Sequence, residues 1–203
     1  MIAGYSLFIY FDAALLGYLL GSIPFGLVLT RMAGLGDVRS IGSGSIGATN
    51  VLRTGNKGLA LATLLLDGGK GALAVIAVKA YFPDATILAL VAGTAAVVGH
   101  NFPVWLKFKG GKGVATTFGL MLVAAPLVGV AACATWLVVA LIFRISSLSA
   151  LVALALAPVY AWALGRPEEA SAFAVLGALG WIRHAANIGR LLRGEEPRIG
   201  AKK

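Results

Sequence analysis

Val114–Phe143 reads VATTFGLMLVAAPLVGVAACATWLVVALIF, thirty residues without a charge, and the fold turns on whether it is one helix or two. A helix crossing a ~30 Å apolar layer needs about 20 residues, so the stretch is long for one crossing and short for two. Pro126 and Gly129 lie near its middle, where a helix is easiest to break. The flanking charges decide the reading. With a single crossing, Arg144 and the basic tail (Arg190, Arg193, Arg198, Lys202, Lys203) fall outside, against the bias that keeps Lys and Arg in cytoplasmic loops. A split near Pro126 gives a short or tilted helix and a return helix, and puts Arg144 and the tail inside.

The rest of the chain justifies reading it against a membrane. Of 203 residues, 59% are hydrophobic and 12% charged, and the mean hydropathy is +0.90. A soluble domain carries about 45–50% apolar and roughly 25% charged residues. The net charge of +9 comes from basic residues flanking apolar segments, and no basic helix or aromatic platform stands apart from them, so no nucleic-acid partner is expected. Cys133 is the single cysteine and lies in an apolar run, which excludes a disulfide framework and any cysteine-built zinc or iron–sulfur site. No Lys or Arg precedes Arg31, so the basic start of a cleaved signal peptide is missing and the first segment is expected to remain as a span.

Working outward, the first span is expected from Tyr5 to Thr30, with Asp12 near the outer interface, a Gly17/Gly21 pair for close helix approach, and a kink at Pro24. The loop from Arg31 to Lys57 carries Arg31, Arg39, Arg53 and Lys57 and is cytoplasmic by the same charge bias. The second span covers Leu59 to Tyr81. It contains Asp67 and Lys70, an i,i+3 pair that should bond to each other and face the bundle interior. After an outer turn at Phe82-Pro83-Asp84, Thr86 to Leu106 returns inward with Gly99-His100-Asn101 near its inner end. Beyond the split stretch, Ser146-Ser147-Leu148-Ser149 reads as a turn and Leu148 to Leu164 as an outward span. Gly165 to Glu169 makes the outer turn, and Ala170 to Ile188 is the last span. The expected architecture is all-α: one polytopic membrane helix bundle over residues 1–203, with about seven transmembrane helices, the N-terminus outside and the C-terminus cytoplasmic.

Two polar stretches stand out. Gly42–Gly55, GSGSIGATNVLRTG, is rich in glycine and hydroxyls and contains Arg53, a composition suited to phosphate or carboxylate. It formally matches GxGxxG, but no βαβ unit surrounds it, so a dinucleotide site is rejected. Lys107–Gly113, KFKGGKG, feeds an apolar helix, and glycines leading into a helix N-terminus suit an anion. It is not a Walker A motif, because Gly113 stands where Ser or Thr is required. His100 and His184 lack partner ligands for a metal, so substrate hydrogen bonding or helix-end capping is expected of them instead. No Ser–His–Asp spacing is present, and neither histidine is followed four residues later by Asp, since positions 104 and 188 hold Val104 and Ile188. Under the expected topology the polar clusters share the cytoplasmic face. Only Asp67 and Lys70, the mid-span charges, favour a transporter.

GSGSIGATNVLRTG at 42–55, LLLDGGKG at 64–71, GHNFPVWLKFKGGKGVATTFG at 99–119, the serine turn and HAANIGRLLRGEEPRIG at 184–200 together resemble the bacterial acyl-phosphate:glycerol-3-phosphate acyltransferase family, in order and over nearly the whole chain. The chain departs from the family pattern at Ser45, where many members are expected to carry Asn, and at Ala185-Ala186, where polar residues are common. The resemblance implies transfer of a fatty acyl group from acyl-phosphate to sn-glycerol 3-phosphate, giving lysophosphatidate and inorganic phosphate. It also implies a multi-pass protein of the bacterial cytoplasmic (inner) membrane, in contact with membrane lipid, expected as a monomer, with no cofactor and no metal. Ser43, Arg53, Lys112, His184 and Asn187 would then be catalytic. Ser45, Asn50, Gly110, Gly111, Gly113, Ser146, Ser147 and Glu196 would bind substrate, with Glu196 tying the tail to the site.

Overall fold

The computed structural model describes residues 5–200, and every regular element among them is helical. The chain divides at Ala124/Ala125 into two compact units. The first unit holds α1 (Leu7–Gly21), α2 (Phe25–Met32), the short α3 (Ala48–Val51), α4 (Lys57–Tyr81), α5 (Thr86–Asn101) and α6 (Val114–Ala124). The second holds α7 (Pro126–Phe143), α8 (Ser146–Ala163), α9 (Pro167–Arg183) and α10 (Ala185–Leu192).

The decisive stretch is two helices. α6 ends at Ala124, and α7 begins with Pro126 in its first turn, where the missing N–H costs nothing because no helical acceptor would have served it. The first span is likewise interrupted, at Ser22-Ile23-Pro24, so that α1 and α2 form one apolar segment with a break rather than a kink. Two other expectations shift. Ser146–Ser149 is not a turn but the first turn of α8, preceded by extended Ile145. The last segment ends its main helix at Arg183, and His184 opens the separate α10. Pro158 lies inside α8, which continues through it to Ala163. Asp12 sits exposed within α1.

Among the described residues, five segments are long and apolar enough to cross a membrane: Leu7–Met32, Lys57–Tyr81, Thr86–Leu106, Pro126–Phe143 and Ser146–Ala163, while Val114–Ala124 is apolar but shorter. In the first unit α1 packs along α5, and α4 lies against α1, α5 and α6. Small residues make these approaches possible. A side chain at Gly17 or Gly21 would run into the backbone carbonyls of Ala92 and Ala96 on α5, and one at Gly99 would meet the Tyr18 carbonyl of α1. Gly71 and Gly119 do the same for α4 and α6, facing the backbone of Thr116 and Gly68. In the second unit α8 is central, packed by α7 and α9, with Gly177 of α9 close to the Leu154 carbonyl.

A paired substitution on α4 tests this packing. Gly69 has nothing within 4 Å of where a Cβ would sit, whereas Gly71 has the Thr116 carbonyl oxygen there. Gly69→Ala should hold or raise the melting temperature, since Ala gains about 0.5–1 kcal/mol over Gly in a helix. Gly71→Ala, two residues away, should lower it by several degrees at least, as read by tryptophan fluorescence or thiol-reactive dye melting in the same detergent.

Candidate active site

The Gly42–Gly55 loop is built around Asn50, whose side chain is inaccessible to solvent. Its Oδ1 accepts from the Ser43 N–H at 3.1 Å, and its Nδ2 donates to the carbonyls of Val38 at 2.7 Å, Ser45 at 2.8 Å and Ile41 at 3.2 Å. Every polar atom of the carboxamide thus serves the loop backbone, and the structure gives Asn50 the work of a scaffold rather than of direct substrate contact. Gly42 and Gly44 take left-handed φ values of 55° and 67°. A side chain at Gly42 would also strike Asn50 and the Arg53 guanidinium, which folds back over this glycine. The loop therefore presents Ser43 and Arg53, both exposed, on its outer side. Ser45 is half-buried, with its hydroxyl accepting from the Gly47 N–H at 3.3 Å.

An apolar floor carries the loop. Leu27, Val38, Ile46, Val51 and Ala60 form a buried cluster, with Ile41, Leu59 and Leu106 packed on it. Leu106 begins the second polar stretch, so both loops of the first unit rest on one floor. At the loop's edge, Asp37 accepts from Arg39 and Arg31. The Arg39 hydrogen bonds, helped by Arg31 and working against a small burial effect, hold its carboxyl well below the usual carboxylate range.

The Lys107–Gly113 turn is under strain. Lys107 and Phe108 both have left-handed φ, 52° and 61°, which costs about 1–2 kcal/mol per non-glycine residue. It is pinned at the far end, where the Gly110 N–H donates to the Asn101 carbonyl at 3.1 Å and the Gly111 N–H to the His100 carbonyl at 3.0 Å. These two N–H groups satisfy the carbonyl end of α5 and are not the open phosphate cradle that glycine spacing suggested. Half-buried Lys112 and the first turn of α6, whose N–H groups have no acceptor within the helix, remain the anion-directed parts of the turn. Gly113 joins them at φ 76°, close to the Asn101 carboxamide.

Asp67 and Lys70 do pair, at 2.8 Å, and both are buried. The Lys70 ammonium also donates to the Ile23 carbonyl at 2.9 Å and lies 2.9 Å from His100 Nδ1. The one mid-span feature that favoured transport is thus closed on itself and on the helix break. His100 is buried in this network rather than presented to a ligand.

In the second unit, Glu196 gathers its neighbours. The Ser147 hydroxyl donates to Oε1 at 2.7 Å, the Asn187 amide to the same oxygen, and Arg190 Nε to Oε2 at 2.7 Å. Burial would raise the Glu196 carboxyl, but these donors outweigh it and hold it below the ordinary glutamate value. Glu196 does tie the C-terminal segment to α8 and α10, and Arg190 is a partner that spacing had not disclosed. Ser146 is half-buried at the start of α8. Buried His184 sits at the α9–α10 junction with Nδ1 2.7 Å from the Gly180 carbonyl. A carbonyl only accepts, so Nδ1 is the donor in this contact. Among the described residues no group of three or more His, Cys, Asp or Glu gathers as a metal site.

The comparisons with known proteins fall on this arrangement. A family profile described as "Glycerol-3-phosphate acyltransferase" matches residues 12–194. The chain belongs to the glycerol-3-phosphate acyltransferase family. It is 68% identical over 196 residues to the glycerol-3-phosphate acyltransferase of Rhodospirillum rubrum, covering 94% of this chain and 91% of the relative. Against that of Paramagnetospirillum magneticum it is 67% identical, covering 94% of each. Among solved structures, the glycerol 3-phosphate form of PlsY (YgiH), an integral membrane glycerol 3-phosphate acyltransferase, superposes with a TM-score of 0.89 at 37% identity, covering 94% of this chain and 96% of that one. The lysophosphatidic acid form gives 0.86 at 35% identity, covering 94% and 95%. This chain is accordingly a multi-pass membrane acyltransferase acting on glycerol 3-phosphate in phospholipid synthesis.

The Glu196 tie in this acyltransferase has a pH signature. A carboxyl held low in the folded protein contributes stability at and above the ordinary glutamate pKa of about 4.3, and loses it only as pH falls through the lower folded value. A nitroxide on a cysteine replacing Arg198, with Cys133→Ser, should stay immobilised down through pH 4.5 and mobilise below it. With Glu196→Ala it should be mobile at pH 7. Mobilisation of the Glu196 protein above pH 5 would contradict this account.

Proposed function

We propose that the acyl donor is an acyl-phosphate and that the acyltransferase delivers the acyl group to the 1-hydroxyl of sn-glycerol 3-phosphate at the cytoplasmic face of the bacterial inner membrane. The observation that carries the reading is the Gly42–Gly55 loop. It is locked from beneath by Asn50 and turns Ser43 and Arg53 outward, a hydroxyl and a guanidinium suited to phosphoryl and carbonyl oxygens. The solved relative's glycerol 3-phosphate and lysophosphatidic acid forms support the acceptor and the product. α6 and α9 are read as the remaining two of seven crossings, with the N-terminus outside, the C-terminus inside and the protein a monomer.

In this reading Ser43 and Arg53, with Ser45 at the loop's shoulder, hold the acyl-phosphate. Lys112, on a turn shaped by Gly110, Gly111 and Gly113, takes the phosphate of the acceptor. Ser146, Ser147 and Glu196 are read as substrate-binding, and His184 and Asn187 as orienting the acceptor. The acceptor hydroxyl oxygen bonds to the acyl carbon, the bond from that carbon to the phosphate oxygen breaks, and inorganic phosphate leaves. An acyl-phosphate is already activated, so positioning and charge stabilisation supply most of the acceleration. The hydroxyl proton passes to the departing phosphate or to His184 Nε2.

Purified protein given palmitoyl phosphate and glycerol 3-phosphate should release inorganic phosphate and lysophosphatidate in equal amounts. Intact substrates after prolonged incubation would defeat the reading. Lys112→Ala should raise the KM for glycerol 3-phosphate tenfold or more with a smaller effect on the acyl-phosphate KM, and Arg53→Ala should lower kcat by about 10²-fold or more. Wild-type turnover in His184→Ala would leave the departing phosphate as the proton acceptor.

A further inference from the structure

We propose that His100, oriented by the Lys70–Asp67 pair, is a positioning residue for the acceptor site: its ring and its carbonyl together set the Gly110–Gly113 turn that carries Lys112, without touching substrate. The inference rests on the reading of Lys112 as the ligand of the glycerol 3-phosphate phosphate.

The contacts of Lys70 make the case. Three groups surround the Lys70 nitrogen: Asp67 Oδ1, its ion-pair partner, at 2.8 Å, the Ile23 carbonyl, which accepts from it, at 2.9 Å, and His100 Nδ1 at 2.9 Å. Asp67, Lys70 and His100 are 1%, 3% and 4% exposed, so bulk solvent does not reach them. A buried ion pair is weak evidence for stability, since apolar residues of like volume often serve as well, and ionisable groups inside a membrane bundle mark function by default. What this pair supplies is direction. His100 Nδ1 lies between the two partners of the pair, 2.9 Å from the Lys70 nitrogen and 3.6 Å from Asp67 Oδ1, and the pair thereby fixes the orientation of the ring.

The other edge of that ring meets the turn. His100 Nε2 occupies the place where a Gly111 side chain would stand, and the His100 carbonyl accepts the Gly111 N–H at 3.0 Å. Gly111 is thus gripped twice by one residue, immediately before Lys112. Gly110 is fixed beside it by the Asn101 carbonyl, with a Cβ excluded by the His100 carbonyl and Pro103. A turn that stores strain at Lys107 and Phe108 relaxes unless its far end is held. The His100 grip holds that end.

The test uses His100→Asn, whose amide still offers a polar group to Lys70 while the part of the ring against Gly111 is gone. Michaelis constants for both substrates and the melting temperature are measured in lipid bicelles, beside wild type, His100→Ala, Gly111→Ala and His100→Ala/Gly111→Ala. Expected are a rise of about tenfold in the glycerol 3-phosphate KM for His100→Asn and a change below twofold in the acyl-phosphate KM. Gly111→Ala should be damaging alone and less so once His100→Ala has opened the space for its methyl group. Equal rises in both KM values, an unchanged acceptor KM in a folded His100→Asn protein, or strictly additive Gly111 and His100 effects would each overturn the proposal. Failure of the underlying reading looks different. Either wild type fails to transfer acyl groups, or Lys112→Ala leaves the acceptor KM unmoved. In the first case glycerol 3-phosphate-dependent thermal stabilisation still compares wild type with His100→Asn, and equal concentration dependence there overturns the positioning role.

Discussion

One ammonium group holds the first unit together. Pro24 interrupts the first apolar segment, and the break leaves carbonyls that helix geometry no longer satisfies, in surroundings where water cannot help. Lys70 of α4 reaches the Ile23 carbonyl, and the Trp105 indole N–H donates to the Ser22 carbonyl at 2.8 Å. The Tyr18 hydroxyl closes the same region from α1, donating to the Phe102 carbonyl at 2.9 Å. The break is therefore a junction to which α4, the end of α5 and the following turn are fastened. Asp67 neutralises the lysine that does this, and His100 Nδ1 lies 2.9 Å from the same nitrogen.

The two polar loops of this unit solve the same problem in different ways. Each must keep an irregular backbone in a defined shape beside apolar helices; in one the buried Asn50 side chain bonds to backbone, and in the other buried His100 accepts through its carbonyl and fills the space beside Gly111 with its ring. Asn50 gathers three carbonyls and one N–H, and leaving such groups unpaired would cost about 1–3 kcal/mol each. His100 and Asn101 offer their carbonyls to Gly110 and Gly111. The glycines are there less to expose N–H groups than to let these supports come close. A Cβ at Gly42 would displace Asn50 and Arg53, and one at Gly111 would displace His100.

Much of this was readable in the chain, and the division is physical. Breaks and close approaches are local facts: Pro126 splits its stretch, Pro24 interrupts the first span, and Gly17 and Gly21 meet the backbone of α5. The pairing of Asp67 with Lys70 follows from their i,i+3 spacing and the cost of leaving either alone in lipid. The employment of an amide was not readable. Asn50 and His100 have the same donors and acceptors whether they face a ligand or a carbonyl, and only tertiary structure tells which groups are already satisfied. Ser146–Ser149 misled for a related reason. Serines mark turns and also the first turns of helices, and only the position of extended Ile145 separates the two. Arg190 was invisible because its partner, Glu196, lies across a bend after α10.

The supports also explain a division of labour within the polar residues. Side chains that already hold several other groups of the protein are poor candidates for chemistry, because rearranging them in a transition state would break what they hold. On the supported loops Ser43 and Arg53 are exposed and Lys112 is half-buried. Asn50, His100 and Glu196 are already engaged by protein partners. Rigid supports beneath polar side chains suit acyl transfer to glycerol 3-phosphate, where the protein must hold an anionic substrate in register. The placement of the loop residues Ser43, Arg53 and Lys112 then depends on the buried residues that hold their backbone.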